Sequence, residues 1–308
     1  MKNFPMIRPF IFSKHSLVLT LILLSSLSCL QLGYTQSSCW QPEQVQQLVR
    51  DYQSKKTHTP TQILKTLDDA YCTQSKFLKR LQHTAPQDKI VGYKAGFTSE
   101  GIQKKLNLNQ PVYGTFYKSM MLKSGSTISV DAAPELRYEL DLIAVIGDEK
   151  ISQATTPQEI LSSISHIQAF IELPSFIMSP KTPHFAYHVV GANVFARLGV
   201  LGSTIALKGS AQERYKRLEN LKMTIQLNGR ELESKTADAL LGHPAYVIYK
   251  IIAYLKKNKH SIHKGMLLSL GSVSKFYTPR IGDQVEAVYQ LGLQNMKAYV
   301  SFEPAIAP

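Results

Sequence analysis

Near Ile90 the hydrophobic period of this chain switches from that of a helix to that of a strand. Before the switch, Glu43 to Gln53 places Val45, Leu48, Val49 and Tyr52 on one face, the spacing of an amphipathic helix. A polar break follows from Ser54 to Pro60. Thr66 then caps a second helix, with Asp69 three residues on as the acid of a capping box. That helix runs through Tyr71, Phe77, Leu78 and Leu81 until Pro86 stops it. After the switch the apolar segments are short and β-rich. Arg137 to Val145 lies between Pro134 and Gly147, and His166 to Glu172 ends at Pro174. Lys222 to Leu227 alternates into Asn228-Gly229, a strong hairpin signal. One helix interrupts the strands, from Pro244 to about Leu255, with proline in its first turn. The expected fold class is therefore α+β, a helical segment over residues 37–89 followed by a β-rich domain over 90–308. A hydrophobic content of 44% with 19% charged residues suits a packed core and excludes wholesale disorder.

The first 36 residues read as an export signal. Lys2, Arg8, Lys14 and His15 form a positive start, and Ser16 to Ser25 an apolar stretch, followed by small and polar residues around Gly33 to Gln36. The apolar run falls short of the ~20 residues that cross a bilayer, so no stable membrane span is expected. A lipoprotein reading centred on Cys29 is disfavoured by the poor approach Ser26-Leu27-Ser28. An exported protein, periplasmic or secreted, keeps Cys39 and Cys72 in an oxidising compartment. An even count there suggests a disulfide, and two separate half-buried thiols are the alternative. The formal charge is +13, from 35 basic and 22 acidic residues. The basic residues are scattered and no nucleic-acid motif accompanies them, so a solvated basic surface that also steers a small anion is expected, and no nucleic acid.

Candidate chemistry starts from three carboxylates. Glu139 and Asp141 sit two apart on an expected strand, so both point to one face. Glu172 lies at the C-terminal end of another. Three oxygen ligands without cysteine or histidine describe a hard-cation site suited to Mg²⁺ or Mn²⁺. Acids alternating along a strand are more commonly its wet face, and that reading stays open on these residues alone.

Three further stretches fall in a recognisable order: Val91-Gly-Tyr-Lys-Ala-Gly-Phe-Thr-Ser99, Gln110-Pro-Val-Tyr-Gly-Thr115 and Leu241-Gly-His-Pro-Ala245. With Thr66 to Tyr71 at the front and Lys264-Gly265 and Gly271-Ser272 at the back, the set resembles the 2-keto-4-pentenoate hydratase group of the fumarylacetoacetate-hydrolase-like family, from Thr66 to Phe302. The resemblance implies a mixed β-roll after N-terminal helices, and a metal held by Glu139, Asp141 and Glu172. It implies catalytic roles for Lys94, facing an anionic 2-oxo acid, and for Asn193. It further implies that Gly92, Gly96, Gly271 and Ser272 approach the substrate. The implied reaction adds water to a 2-hydroxy-2,4-dienoate or its 2-oxo tautomer without an organic cofactor. Decarboxylation of a related oxo-dioate is the nearest competitor, and family members tend to assemble as homo-oligomers.

The match has gaps. Asp141 stands where glutamate is usual, Val112 where the family carries aspartate, Ser175 where an acid follows the third ligand, and Ala192 where aspartate precedes Asn193. These losses bear on proton transfer more than on the ion. They keep a second reading open, an exported binding protein that retained the fold without turnover. His184 and His188 are candidates to replace the missing acids.

Overall fold

A helical start and two sheets realise the period switch at Ile90. A computed structural model of the protein describes Met1 and residues 38–305; residues 2–37, which hold the expected export signal, lie outside the described residues. Helix α1 (Pro42–Gln53) begins with proline at its first turn and buries Val45, Leu48 and Val49. Helix α2 (Leu67–Thr84) starts where the Thr66 hydroxyl accepts the Asp69 amide at 3.1 Å. Such a cap contributes about 1 kcal/mol. Both helices pack with Trp40, Leu64, Val190 and Phe195 in one apolar cluster. Cys39 and Cys72 are joined in a disulfide with Cα atoms 5.7 Å apart, tying the segment before α1 to α2.

Strand β1 (Ile90–Gly96) leads through the short helix α3 (Glu100–Lys105) to β2 (Val112–Tyr117), β3 (Met121–Lys123) and β4 (Ser126–Ser129). Then come β5 (Glu139–Ile146), β6 (Ile164–Leu173), helix α4 (Phe185–Gly191), β7 (Leu198–Ala206) and helix α5 (Ala211–Leu218). The hairpin β8 (Lys222–Leu227) and β9 (Arg230–Thr236) turns through Asn228 and Gly229 at φ 53° and 78°, the left-handed pair that Asn-Gly accommodates. Helix α6 (Pro244–Lys257), β10 (Leu267–Ser269), β11 (Gln284–Leu291) and β12 (Gln294–Glu303) complete the order. Seven strands form one sheet in the order β2-β1-β10-β5-β6-β7-β3, and five form a second in the order β4-β12-β11-β8-β9. Both sheets are mixed: β1–β10, β3–β7 and β4–β12 pair in parallel, the remaining neighbours antiparallel.

The two sheets meet closely where β7 passes β12. A Cβ on Gly202 would stand 2.0 Å from the Lys297 carbonyl oxygen, so only glycine fits there. Ser38–Pro308 is a single compact unit, which holds both helices and both sheets. The Gln74 side chain on α2 donates to the carbonyls of Tyr113 and Val190 at 2.9 Å each, and the Tyr113 amide donates to Tyr71 at 3.0 Å. Among the described residues no helix is long and apolar enough to cross a membrane.

Candidate functional site

Strand β5 is buried along its whole length, so its two acids cannot belong to a wet face. Glu139 pairs directly with Glu172 across the antiparallel β5–β6 ladder, and Asp141 lies two residues further on the same side. Ligand oxygens of the three carboxylates all lie within 4.8 Å of one another. Their exposures are 4%, 0% and 0%, which rules out the wet-face alternative. From β1 comes Lys94, 4% exposed, in register with Ser269 of β10. Its ammonium donates to Glu172 Oε1 and, at 3.1 Å, to the Val194 carbonyl. Both oxygens of Asp141 are held, Oδ1 by the Leu142 amide and Oδ2 by the Ser269 hydroxyl at 2.7 Å. In contrast Glu139 Oε2 and Glu172 Oε2 are buried without a hydrogen-bond partner.

The electrostatics follow from this crowding. Burial, then the neighbouring Glu172 charge, raises the Glu139 carboxyl well above its ordinary range, against the pull of Lys94 and the Ser272 hydroxyl. The same two causes push Asp141 up to about 8. Fully ionised, three carboxylates and one ammonium leave two negative charges in the interior, and one divalent cation cancels them. An uncompensated buried charge is costly. The two partnerless oxygens are where oxygen ligands of a hard cation are wanted. The residues present therefore fit such an ion.

Beside this set the chain makes a strained turn. Asn193, Val194 and Phe195 adopt φ of 59°, 52° and 55°, a left-handed run that is a marked outlier for β-branched valine. The turn is fixed by the Asn193 side chain, which accepts the Thr115 amide at 2.7 Å and donates to the Thr115 carbonyl at 2.9 Å. Asn193 thus pins the turn to β2, and that turn aims the Val194 carbonyl at Lys94.

The glycines expected to approach a ligand lie close against other parts of the chain on the side where a Cβ would stand. A Cβ on Gly92 would meet the Leu267 carbonyl oxygen at 2.3 Å, and one on Gly96 would meet Val194 Cγ1 at 2.7 Å. Gly271, at φ 93°, is pressed against the Thr98 side chain, which an added Cβ would meet at 2.4 Å. Ser272 is half-buried, its hydroxyl on the Ser274 carbonyl at 2.9 Å and near the Leu140 carbonyl at 3.3 Å. The histidines are not at the carboxylates either. His188 is fully buried beside Trp40, its ring nitrogen accepting the Leu64 amide at 3.3 Å, and His184 is exposed at the start of α4. Ser175 spends its hydroxyl on the Pro134 carbonyl at 2.7 Å, while Val112 and Ala192 sit in the apolar cluster under the helices.

Two participants carry no signal in the sequence. Ser269 lies in a three-residue strand too short to show a period. Tyr289, on β11 of the second sheet, places its hydroxyl between the backbone oxygens of Asp141 and Phe170, 2.8 Å from the latter, and accepts the Phe170 amide at 3.2 Å. In an alternating strand such a tyrosine looks like ordinary core.

Residues 90–298 match the family described as "Fumarylacetoacetate (FAA) hydrolase C-terminal". The chain belongs to this family. Within it, the chain is 23% identical over 221 residues to 2-keto-4-pentenoate hydratase from Paraburkholderia xenovorans, covering 71% of this chain and 79% of that one. It is 20% identical over 236 residues to 4-oxalocrotonate decarboxylase from Pseudomonas putida, covering 76% and 85%. The solved 4-oxalocrotonate decarboxylase from Pseudomonas putida G7, complexed with magnesium and adipate, superposes with a TM-score of 0.69 at 20% identity, over 85% of this chain and 98% of that one. The expected α+β architecture, helices before a fumarylacetoacetate-hydrolase-like domain, is the one found.

Proposed function

We propose that this protein is a metal-dependent lyase that adds water to a 2-hydroxy-2,4-dienoate or its 2-oxo tautomer, working outside the cytoplasm. One observation carries the reading: two buried carboxylate oxygens lack partners in a set whose charge a single divalent cation cancels. Glu139, Asp141 and Glu172 would hold Mg²⁺ or Mn²⁺, and the names of the hydratase and decarboxylase relatives support the reaction class. The magnesium complex of the decarboxylase relative supports a divalent ion. When bound, the ion supplies Lewis-acid polarisation of the 2-oxo acid's oxygens. The chain's own share is positional and electrostatic. Lys94 offers a buried ammonium to an anionic substrate, and Asn193 holds the turn that orients it. The Ser272 hydroxyl is half-buried beside Glu139 and can reach a substrate oxygen.

Export is supported by the layout of the first 36 residues and by the Cys39–Cys72 disulfide, which persists in an oxidising compartment. N-terminal sequencing of protein secreted by its native host should begin between about Cys29 and Trp40. Recovery of an intact Met1 terminus from a soluble cytoplasmic fraction refutes export.

A second reading, binding without turnover, is favoured by Ser175, Val112 and Ala192, which stand where the family resemblance implies acids. A metal-supplemented activity screen against 2-hydroxy-dienoates and 2-oxo acids, run beside calorimetry with oxalate, separates the readings. Turnover that a chelator abolishes supports the hydratase, and turnover of oxo-dioates with release of CO₂ supports the decarboxylase. Metal-dependent oxalate binding alone supports the binding protein. Absence of both turnover and oxalate binding with metal present refutes all three.

A further inference from the structure

We propose that Lys94 keeps the cation's place: its ammonium rests on Glu172 in the metal-free protein, and cation binding moves it wholly onto the Val194 carbonyl. This inference rests on the metal reading of the three carboxylates. Glu172 sits at the centre of the set, opposite Glu139 in the ladder, and one of its two oxygens is already taken by the Lys94 ammonium. A divalent ion among the carboxylates must share Glu172 with that positive charge at near-contact distance, where repulsion is strongest and screening weakest. The lysine has no route to solvent. It is 4% exposed, and its Cγ lies over Gly114, where an added Cβ would come within 3.2 Å of it. The Val194 carbonyl, already a partner at 3.1 Å, is an acceptor outside the carboxylate set that can keep the ammonium.

That partner exists because of the left-handed turn at Asn193 to Phe195, in a conformation valine seldom adopts. Residues held this way cost on the order of 1–3 kcal/mol each, so the turn persists only because Asn193 and its surroundings over-determine it. A second seat for the ammonium gives that strain a use. Once displaced, the ammonium keeps one carbonyl partner and turns its remaining N–H donors toward an incoming anion. Metal then binds before substrate, and the metal-free protein binds 2-oxo acids poorly.

The test compares crystal structures of the full chain with and without Mn²⁺, the ion located by its anomalous scattering. The Lys94–Glu172 bond is expected without the ion, and its loss with the Val194 contact retained is expected when the ion is bound. Persistence of the Lys94–Glu172 bond beside bound Mn²⁺ overturns the proposal and leaves the metal site standing. Calorimetry adds a readout that a merely structural lysine would not move. Lys94→Met should bind Mn²⁺ about tenfold more tightly or better, since repulsion is removed, while losing Mn²⁺-dependent oxalate binding. Unchanged or weaker Mn²⁺ affinity counts against the inference. Absence of Mn²⁺ at the carboxylates in wild type and variant alike removes the metal reading and this inference with it.

Discussion

Two regions of this protein bury carboxylates, and they do so in opposite ways. In the helical region Asp69 is 8% exposed, and one of its oxygens accepts the Ser38 hydroxyl at 2.5 Å and the Thr66 hydroxyl at 2.7 Å. Ser38 in turn accepts the Lys65 amide at 3.1 Å, and the adjacent Cys39 carries the disulfide to α2. The Ser38–Asp69 hydrogen bond and the disulfide join the start of the compact unit to its second helix. In the sheet, Glu139 and Glu172 are buried at least as deeply yet each leaves an oxygen without a partner, one strand apart. A satisfied buried carboxylate rigidifies the fold, whereas a half-satisfied cluster lowers stability unless something else completes it. The first region is built to close the chain, and the second to receive a cation.

The contrast breaks most visibly under substitution. Glu172→Gln should lower metal-dependent turnover by about a thousandfold through loss of the ion, with partial rescue by excess metal. Asp69→Asn should leave turnover per folded molecule unchanged and instead reduce stability by about 1–2 kcal/mol, read by urea titration. Loss of turnover from Asp69→Asn with normal stability would erase the distinction between the two regions.

Next in size is the disulfide. With its cysteines 33 positions apart, opening it should cost about 3–4 kcal/mol on the loop-entropy account. A paired Cys39→Ser, Cys72→Ser variant should therefore melt on the order of 10 °C lower, with metal affinity unchanged in the folded protein. Equal melting temperatures for the two proteins would contradict this.

The pH responses of the two regions have opposite signs. Asp141 is pushed up to about 8, mainly by burial and then by Glu172, so the folded protein holds a proton that the unfolded chain releases at its ordinary value of 3.8. Metal-free stability should then fall as pH rises from that value through about 8, and cation affinity should rise by about tenfold per unit over the upper part of the range. In the helical region His188 is lowered to about 4 by burial first, then by His58 and His184, and stays neutral in the fold. Its contribution is present above 6.5 and lost as pH falls through about 4, the reverse direction. His188→Gln should flatten that acid limb at a cost of about 1 kcal/mol at neutral pH, and an unchanged acid limb would mean that another group sets it.

Much of this was legible in the sequence, for identifiable reasons. Period-2 alternation announces which acids share a face, so the spacing of Glu139 and Asp141 is enough to pair them, and Thr66 with Asp69 marks the start of α2. The antiparallel register that sets Glu172 opposite Glu139 could not be read, because register between distant strands is decided by packing and loop geometry. Gly92, Gly96 and Gly271 each lie close to another part of the chain, and a glycine does not say what approaches it. Val194 gave no signal at all, since its side chain disfavours the conformation it adopts. Ser269 and Tyr289 act through contacts between strands far apart in the chain.

The central claim is that the carboxylates of β5 and β6 await one divalent cation. Calorimetric titration of Mn²⁺ into the metal-free protein at pH 8, beside Glu172→Gln and Asp69→Asn, tests it most directly. One ion per chain is expected for the wild type, the same affinity for Asp69→Asn, and affinity at least about a hundredfold weaker for Glu172→Gln. No saturable binding by the wild type, or equal binding by wild type and Glu172→Gln, would contradict it.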